Sequence, residues 1–426
     1  MEKKGFGLYV HIPFCVKKCA YCDFLSGPAD AGTRSRYADA LIREIQTAGN
    51  RYGDYCADTI FLGGGTPSLL EADETARIFH ALYEAFSVSP DAEITMEANP
   101  GTVTREKAEA WKACGVNRLS IGLQSVDDRE LKLLGRIHTY RDFLDTWDTV
   151  RRAGFDNVNI DLISALPGQT RGQWEKTLRA AASLSPEHIS AYSLIIEEGT
   201  PFFTWYGGAG LDGAQDGADA CAGTPPFSDG SGDCQDLPPL PDEDTERDIY
   251  QATERILSGY GYHRYEISNY AKEGYECRHN LGYWERKEYL GLGLGAASLI
   301  RECRFHNTAD MDRYLEVFGR PADRERHPAG EGGPAERPVP GEAAEEIEAL
   351  REEDRMEEFM FLGLRRMKGV GEKEFSAAFG RDIRQVYGRQ LEKLTRQGLL
   401  ACAGGRFFLT GRGIDISNYV FSEFLF

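Results

Sequence analysis

Apolar, β-branched residues recur along the chain in short runs. Longer stretches with a helical period separate them. The runs "GLYVHIP" (7–13), "DTIFLGG" (58–64), "AEITMEA" (92–98), "RLSIGLQ" (118–124), "NVNIDLIS" (157–164) and "HISAYSL" (188–194) read as strands. Between the first two, "SRYADALIREIQTAG" sets Tyr37, Leu41, Ile45 and Ala48 on one helical face, with Gly49 as its stop. "TREKAEAWKACG" begins on Thr104, a good N-cap, and "YRDFLDTWDTVRRAG" again ends at a glycine. Strand alternating with helix at this spacing predicts parallel strands with helices packed outside. Six or more such units predict an α/β fold, a full or partial (β/α) barrel, with a doubly wound open sheet as the alternative.

The pattern breaks twice. Residues 206–241 are rich in Gly, Asp and Pro and have no hydrophobic period, so they read as a flexible insertion with incidental thiols at Cys221 and Cys234. A second stretch, 320–346, reads as a linker. The expected organisation is therefore a barrel core over 1–205, the insertion, the rest of the core over 242–319, the linker, and a smaller C-terminal domain over 347–426. Helical patterns in 344–367, 371–380 and 382–398 precede "GLLACAGGRFFLTGRG", a Gly-turn hairpin. Helices followed by a hairpin predict a helical, winged-helix-like module. Its mixed charge points to packing or docking rather than DNA.

Composition narrows the class. The 426 residues carry a formal charge of −19, which disfavours nucleic acid as a partner. No stretch has the apolar length of a membrane span, and no signal peptide is legible, so a cytoplasmic protein is expected, with any membrane contact peripheral. The ten cysteines are scattered except for three. In a reducing compartment that pattern favours metal or reactive thiols over disulfides.

Those three are Cys15, Cys19 and Cys22 in "CVKKCAYC", directly after the first strand. A structural zinc site is closed by four ligands, usually as two separated pairs, and a lone triplet fits it poorly. A [4Fe–4S] cube has four corners. Three thiolates on one loop hold three of them and leave the fourth iron for a small molecule. From spacing alone a cube leads, and other thiol sites stay open. The motif resembles the signature of the radical S-adenosylmethionine (SAM) superfamily. In that superfamily the open iron is chelated by the amino and carboxylate groups of SAM, and the resemblance implies both cofactors and a radical SAM type of barrel.

A longer series, "YVHIPFC", "LGGGTPSLL", "MEANPGT", "IGLQS", "LGRIHT" and "NIDLISALPGQT", resembles the oxygen-independent coproporphyrinogen III oxidase family within that superfamily. The resemblance implies that Tyr9 and Tyr21 flank the cluster and SAM. It implies that Gly64, Gly65 and Thr66 hold the methionyl amino end. Glu97, Gln124, Arg136 and Asp161 would meet SAM's other polar groups, Asp161 through the ribose. No residue is assigned a catalytic role.

In two departures from the oxidase the chain resembles instead the sister group of haem chaperones, HemW. Phe24 stands where the oxidase loop continues to a fourth cysteine, and the first cysteine comes as early as position 15. The segment "CRHNLGYWERKEYLGLGLGAAS" contains His279, Asn280, Tyr283 and Trp284 as H-N-x-x-Y-W, a pattern of that group and a candidate haem site. A half-buried polar edge is the competing reading of these four residues. His11 is a further haem or acid–base candidate, and Cys277 a candidate thiol. The expected function is a carrier that binds cluster, SAM and haem, and passes haem to respiratory haem proteins. The alternative is the oxidative decarboxylation of coproporphyrinogen. If SAM is cleaved, the expected electron donor is a flavodoxin or ferredoxin.

Overall fold

The computed structural model describes residues 3–207, 237–319 and 341–426. The insertion at 206–241 and the linker at 320–346 fall largely outside the described residues.

Six strands form the heart of the fold: β1 (Lys4–Ile12), β2 (Tyr55–Gly64), β3 (Ser87–Ala98), β4 (Arg118–Gln124), β5 (Val158–Ser164) and β6 (His188–Ser193). They pair in sequence order, all parallel, with helices between them. One edge is extended by β7 (His263–Arg264) and β8 (Asn269–Ala271), the latter antiparallel to β6. At the other edge β9 (Tyr289–Leu292) runs parallel to β1. Antiparallel β10 (Ala297–Ile300), β11 (Cys303–Asn307) and β12 (Ala344–Ala349) follow it. The sheet stays open, a partial (β/α) barrel.

The period-two alternation of the strands decides what faces where. Leu8, Val10, Ile60, Leu62, Ile94, Met96, Leu119 and Ile121 are fully or almost fully buried in the main apolar core with the outer helices. The opposite parity turns Tyr9, Phe61, Glu97, Ser120 and Asp161 into the lumen. A barrel lumen is ordinarily filled by branched apolar side chains. Here it is polar, which leaves space and chemistry at the strand ends.

Two local expectations give way to packing. The helix Ala31–Arg51 runs through Gly49 instead of stopping there. A Cβ at Gly49 would lie 2.6 Å from the Ala85 carbonyl, so this glycine lets two helices approach closely. The segment 344–349, expected as helix, is the edge strand β12. Its Ala/Glu composition favours helix. Pairing with β11 overrides that preference, aided by ion pairs Arg313–Glu345 at 2.6 Å and His306–Glu346 at 3.2 Å.

After β12 the chain builds a separate apolar core around Met356, Met360, Phe375, Tyr387 and Phe407. Helices Glu352–Gly363, Glu372–Phe379 and Ile383–Arg396 surround a small sheet of β13 (Val370–Gly371), β14 (Leu400–Ala403) and β15 (Arg406–Leu409). β14 and β15 form the hairpin, turning on Gly404 and Gly405, both at positive φ. No helix among the described residues is long and apolar enough to cross a membrane.

Candidate functional site

The cysteine loop is pinned at several points. Cys15 N–H donates to Gly27 O at 2.9 Å and Gly27 N–H to Pro13 O at 3.1 Å, which clasps its two ends together. Ala20 N–H donates to Leu134 O, and Phe202 N–H to Ala20 O, both at 3.0 Å, fixing its middle. The His11 imidazole bridges the Tyr9 hydroxyl (2.9 Å) and Leu25 O (2.8 Å). Burial lowers its pKa, so it stays neutral and ties β1 to the loop. With the backbone held this way, Cys15, Cys19 and Cys22 remain half-buried free thiols.

They border a cavity of about 370 Å³ at the carboxyl ends of the strands. Of the residues the sequence singled out, Tyr21, Gly64, Gly65, Glu97, Gln124, Arg136 and Asp161 line the same cavity. Thr66, 3 % exposed, sits just behind, its hydroxyl donating to Cys15 Sγ at 3.5 Å. Tyr9 lies deeper, in the chain of rings through His11 and Phe61.

The Gly63–Gly65 turn has a steric cause. Gly64 has φ +108°, and a Cβ there would meet the His11 ring at 2.4 Å. A Cβ at Gly65 would lie 2.6 Å from Phe14 O, while its N–H donates to Ile12 O at 2.9 Å. Only glycines allow β2 to pass this close behind the cysteine loop.

Two carboxyls share the cavity. Glu97 accepts from Gly64 N–H at 3.1 Å, and burial together with the charge of Asp161 raises its pKa to about 8. Asp161 accepts from Ser120 Oγ (2.9 Å) and Asn159 Nδ2 (2.8 Å), and burial raises its pKa too. Two buried acids that resist ionisation together favour a cationic ligand between them. Arg136 donates to Gly122 O at 2.9 Å, to Asn99 Oδ1 at 2.7 Å and to Cys19 Sγ at 3.7 Å. Around the mouth, Phe24, Ile195 and Tyr192 are 60 %, 65 % and 39 % exposed, beside exposed Lys17 and Lys18.

Three half-buried thiols on one short loop are a donor set that fits the corners of a cube. A mononuclear site needs its sulfurs gathered on one point, whereas a cube takes each at a separate corner. Thr66 and Arg136 already direct donors at two of the sulfurs.

The H-N-x-x-Y-W residues are elsewhere. They form the short helix Arg278–Trp284, at the opposite end of the lumen. His279 is 4 % exposed, with Nδ1 on Thr59 Oγ1 (2.8 Å) and Nε2 on the Tyr283 hydroxyl (3.0 Å). Burial and the nearby Arg118 charge lower its pKa to about 3. Thr59 and Gly64 are five residues apart on β2, roughly 17 Å of strand. Glu93 receives the helix's first N–H groups, Arg278 N at 2.9 Å and His279 N at 3.0 Å. Cys277 Sγ also lies against Glu93, and burial pushes that thiol up to about 12, so it is not a reactive thiolate. Trp284 carries the Arg365 guanidinium over its ring at 4.5 Å, joining this helix to the C-terminal module. Asn280 is half-buried on the same helix. A smaller cavity of about 270 Å³ flanks His279 and Tyr283.

Sequence reading missed Asn99, Ser120, Asn159 and Tyr192. The signal was present for all four: Ser120, Asn159 and Tyr192 share the lumen-facing parity of Glu97 and Asp161. Asn99 follows β3 and stands two residues beyond Glu97, which is the parity that carries it to the rim.

Residues 9–181 match the radical SAM superfamily and residues 350–416 the HemN C-terminal domain. The heme chaperone HemW of Bacillus subtilis is 32 % identical over 418 residues, covering 98 % of each chain. HemW of Escherichia coli is 32 % identical over 419 residues, covering 98 % of this chain and 97 % of that one. Among solved structures, the coproporphyrinogen III oxidase HemN of Escherichia coli, a radical SAM enzyme, superposes with a TM-score of 0.77 at 22 % identity. The match covers 99 % of this chain and 90 % of HemN, and it speaks to the fold.

Proposed function

Since the chain belongs to the HemW heme chaperone family of the radical SAM superfamily, we propose that it carries haem and holds a [4Fe–4S] cluster and SAM. Cys15, Cys19 and Cys22 hold the cluster. Gly64, Gly65 and Thr66 would hold the amino end of SAM, and Glu97, Gln124, Arg136 and Asp161 its remaining polar groups. Tyr9 and Tyr21 back the pair. The observation that carries this reading is the cavity itself, where three half-buried thiols, two buried carboxyl groups with raised pKa and a guanidinium converge at the strand ends.

The cluster and SAM together supply reducing chemistry at the mouth. This chain's residues bind and orient: Glu97 and Asp161 attract the cationic ends of SAM, and Arg136 steadies the cysteine loop. An apolar macrocycle with carboxylate arms suits the exposed Phe24, Tyr192 and Ile195 flanked by Lys17 and Lys18. Both ring nitrogens of His279 are already hydrogen-bonded and the side chain is buried, so binding an iron there means giving up one of those bonds and opening the His279–Trp284 helix. Recipients are respiratory haem proteins. If SAM is cleaved, a flavodoxin or ferredoxin donates the electron, and the exposed lysines suit such an acidic donor.

The test is an anaerobic assay of reconstituted protein with haem and with coproporphyrinogen. Stable haem binding without turnover supports the carrier. Formation of vinyl products from coproporphyrinogen overturns it in favour of the oxidase reading.

A further inference from the structure

One side chain connects the donors that reach the cysteine sulfurs. Asn99 stands just past β3, in "MEANPG", where Pro100 keeps the preceding backbone extended. Its own backbone is held on both sides. Asn99 N–H donates to Ser68 Oγ at 3.1 Å, and Asn99 O accepts from Thr102 Oγ1 at 2.7 Å. The side chain is therefore delivered to the rim in a fixed orientation.

At that rim the amide uses both of its ends. Nδ2 donates to Thr66 Oγ1 at 2.8 Å, and Oδ1 accepts from Arg136 Nη2 at 2.7 Å. Thr66 then directs its hydroxyl hydrogen to Cys15 Sγ at 3.5 Å. Arg136 turns its other amino group to Cys19 Sγ at 3.7 Å. A threonine hydroxyl has one hydrogen to give. Because Asn99 donates to Thr66 and does not compete for that hydrogen, the hydrogen remains available to sulfur. The fold also makes room for the junction. A Cβ on Gly122 would lie 3.0 Å from Asn99 Oδ1 and 3.2 Å from Arg136 Nη2.

We propose that Asn99 is a positioning residue that sets the reduction potential of the cluster by aiming Thr66 at Cys15 and Arg136 at Cys19. This rests on the proposed cluster ligation. Hydrogen bonds to cluster sulfur stabilise the extra negative charge of the reduced state, so they raise the potential. The side chain must donate at one end and accept at the other over a short reach. Aspartate cannot donate there. It would instead accept the Thr66 hydrogen and remove it from Cys15.

The test is an anaerobic redox titration of the full-length reconstituted chain, followed by electron paramagnetic resonance, with iron and sulfide content measured alongside. Asn99→Ala shifts the midpoint to more negative values, and Asn99→Asp shifts it further because it adds a negative charge. Thr66→Val alone gives a smaller negative shift. Adding Asn99→Ala to Thr66→Val yields less than the sum of the two single shifts, because one path to sulfur is already gone. Should Asn99→Ala lose its fold by circular dichroism, Asn99→Ser, which is too short to span both partners, gives the same negative shift. Unchanged potentials in Asn99→Ser and Asn99→Asp, at full cluster loading, overturn the proposal and leave the cluster reading standing. A wild-type chain that takes up no iron and sulfide overturns the cluster reading itself.

Discussion

The two ends of the barrel use the same residue types for opposite purposes. At the mouth, Cys15, Cys19 and Cys22 are free and half-buried, Glu97 and Asp161 face a cavity, and Phe24 and Ile195 are exposed. At the floor, Cys277, His279, Tyr283 and Glu93 satisfy one another. The thiol and imidazole there are held neutral by burial. Polarity alone does not mark a binding site. Both ends border a cavity, and what distinguishes the mouth is the three cysteine thiols and the carboxyl pair facing it, whereas His279 and Tyr283 beside the floor cavity already bond one another. The floor behaves as a plug, and through Trp284 and Arg365 it also seats the C-terminal module.

Breaking each end in turn separates the two roles. The largest effect is expected at the mouth. Changing Cys15, Cys19 or Cys22 to Ser abolishes cluster absorbance and iron content, whereas Cys277→Ser leaves both in place. Retained iron in the mouth variants would dissolve the contrast. At the floor, Glu93→Ala strands the first N–H groups of the plug helix. It should cost about 2–4 kcal/mol of stability in urea unfolding, while cluster loading in the folded fraction stays unchanged. A loss of cluster without a loss of stability would reverse the assignment of the two ends.

Smaller effects sharpen the comparison. The carboxyl of Glu97 has its pKa raised to about 8 by burial and by Asp161. A cationic ligand favours the ionised form, so below pH 8 its binding must displace a proton. SAM affinity therefore rises with pH and levels off above about 8, by about tenfold for each unit that the ligand depresses the pKa. Calorimetry across pH 6 to 9 measures it, and Glu97→Gln should flatten the profile. A flat wild-type profile would remove Glu97 from contact with the charge of SAM. The smallest effect is expected from Trp284→Leu. Losing the Arg365 stacking should cost about 1 kcal/mol, with no change in SAM affinity.

Much of this contrast could be read from the sequence, but only at the mouth. Strand ends carry function in such barrels, and the runs ending at Gly64, Ala98, Gln124 and Ser164 were recognisable from β-branched alternation. That rule brings Glu97, Gln124 and Asp161 near the cysteine loop before any coordinates exist. The rule has no equivalent for the floor. His279 follows β8 by only a few residues, and nothing local in "CRHNLGYW" reveals that Thr59 and Glu93, far upstream, consume its nitrogen and its N–H. Gly49 misled for a similar reason. A glycine at a helix end and a glycine at a helix crossing look alike until Ala85 is placed beside it. Long-range pairing also decided Ala344–Ala349, whose composition argues for helix. Asn99 escaped because its importance lies in joining Thr66 to Arg136, side chains from two other loops.

The most direct measurement is pulsed electron–nuclear resonance on the anaerobically reduced chain, with SAM labelled at its amino nitrogen and carboxylate. Chelation of the open iron by SAM gives a [4Fe–4S] signal that changes when SAM is added, with hyperfine coupling to both labels. A signal indifferent to SAM, or a cube whose fourth iron already carries a side chain, would contradict it.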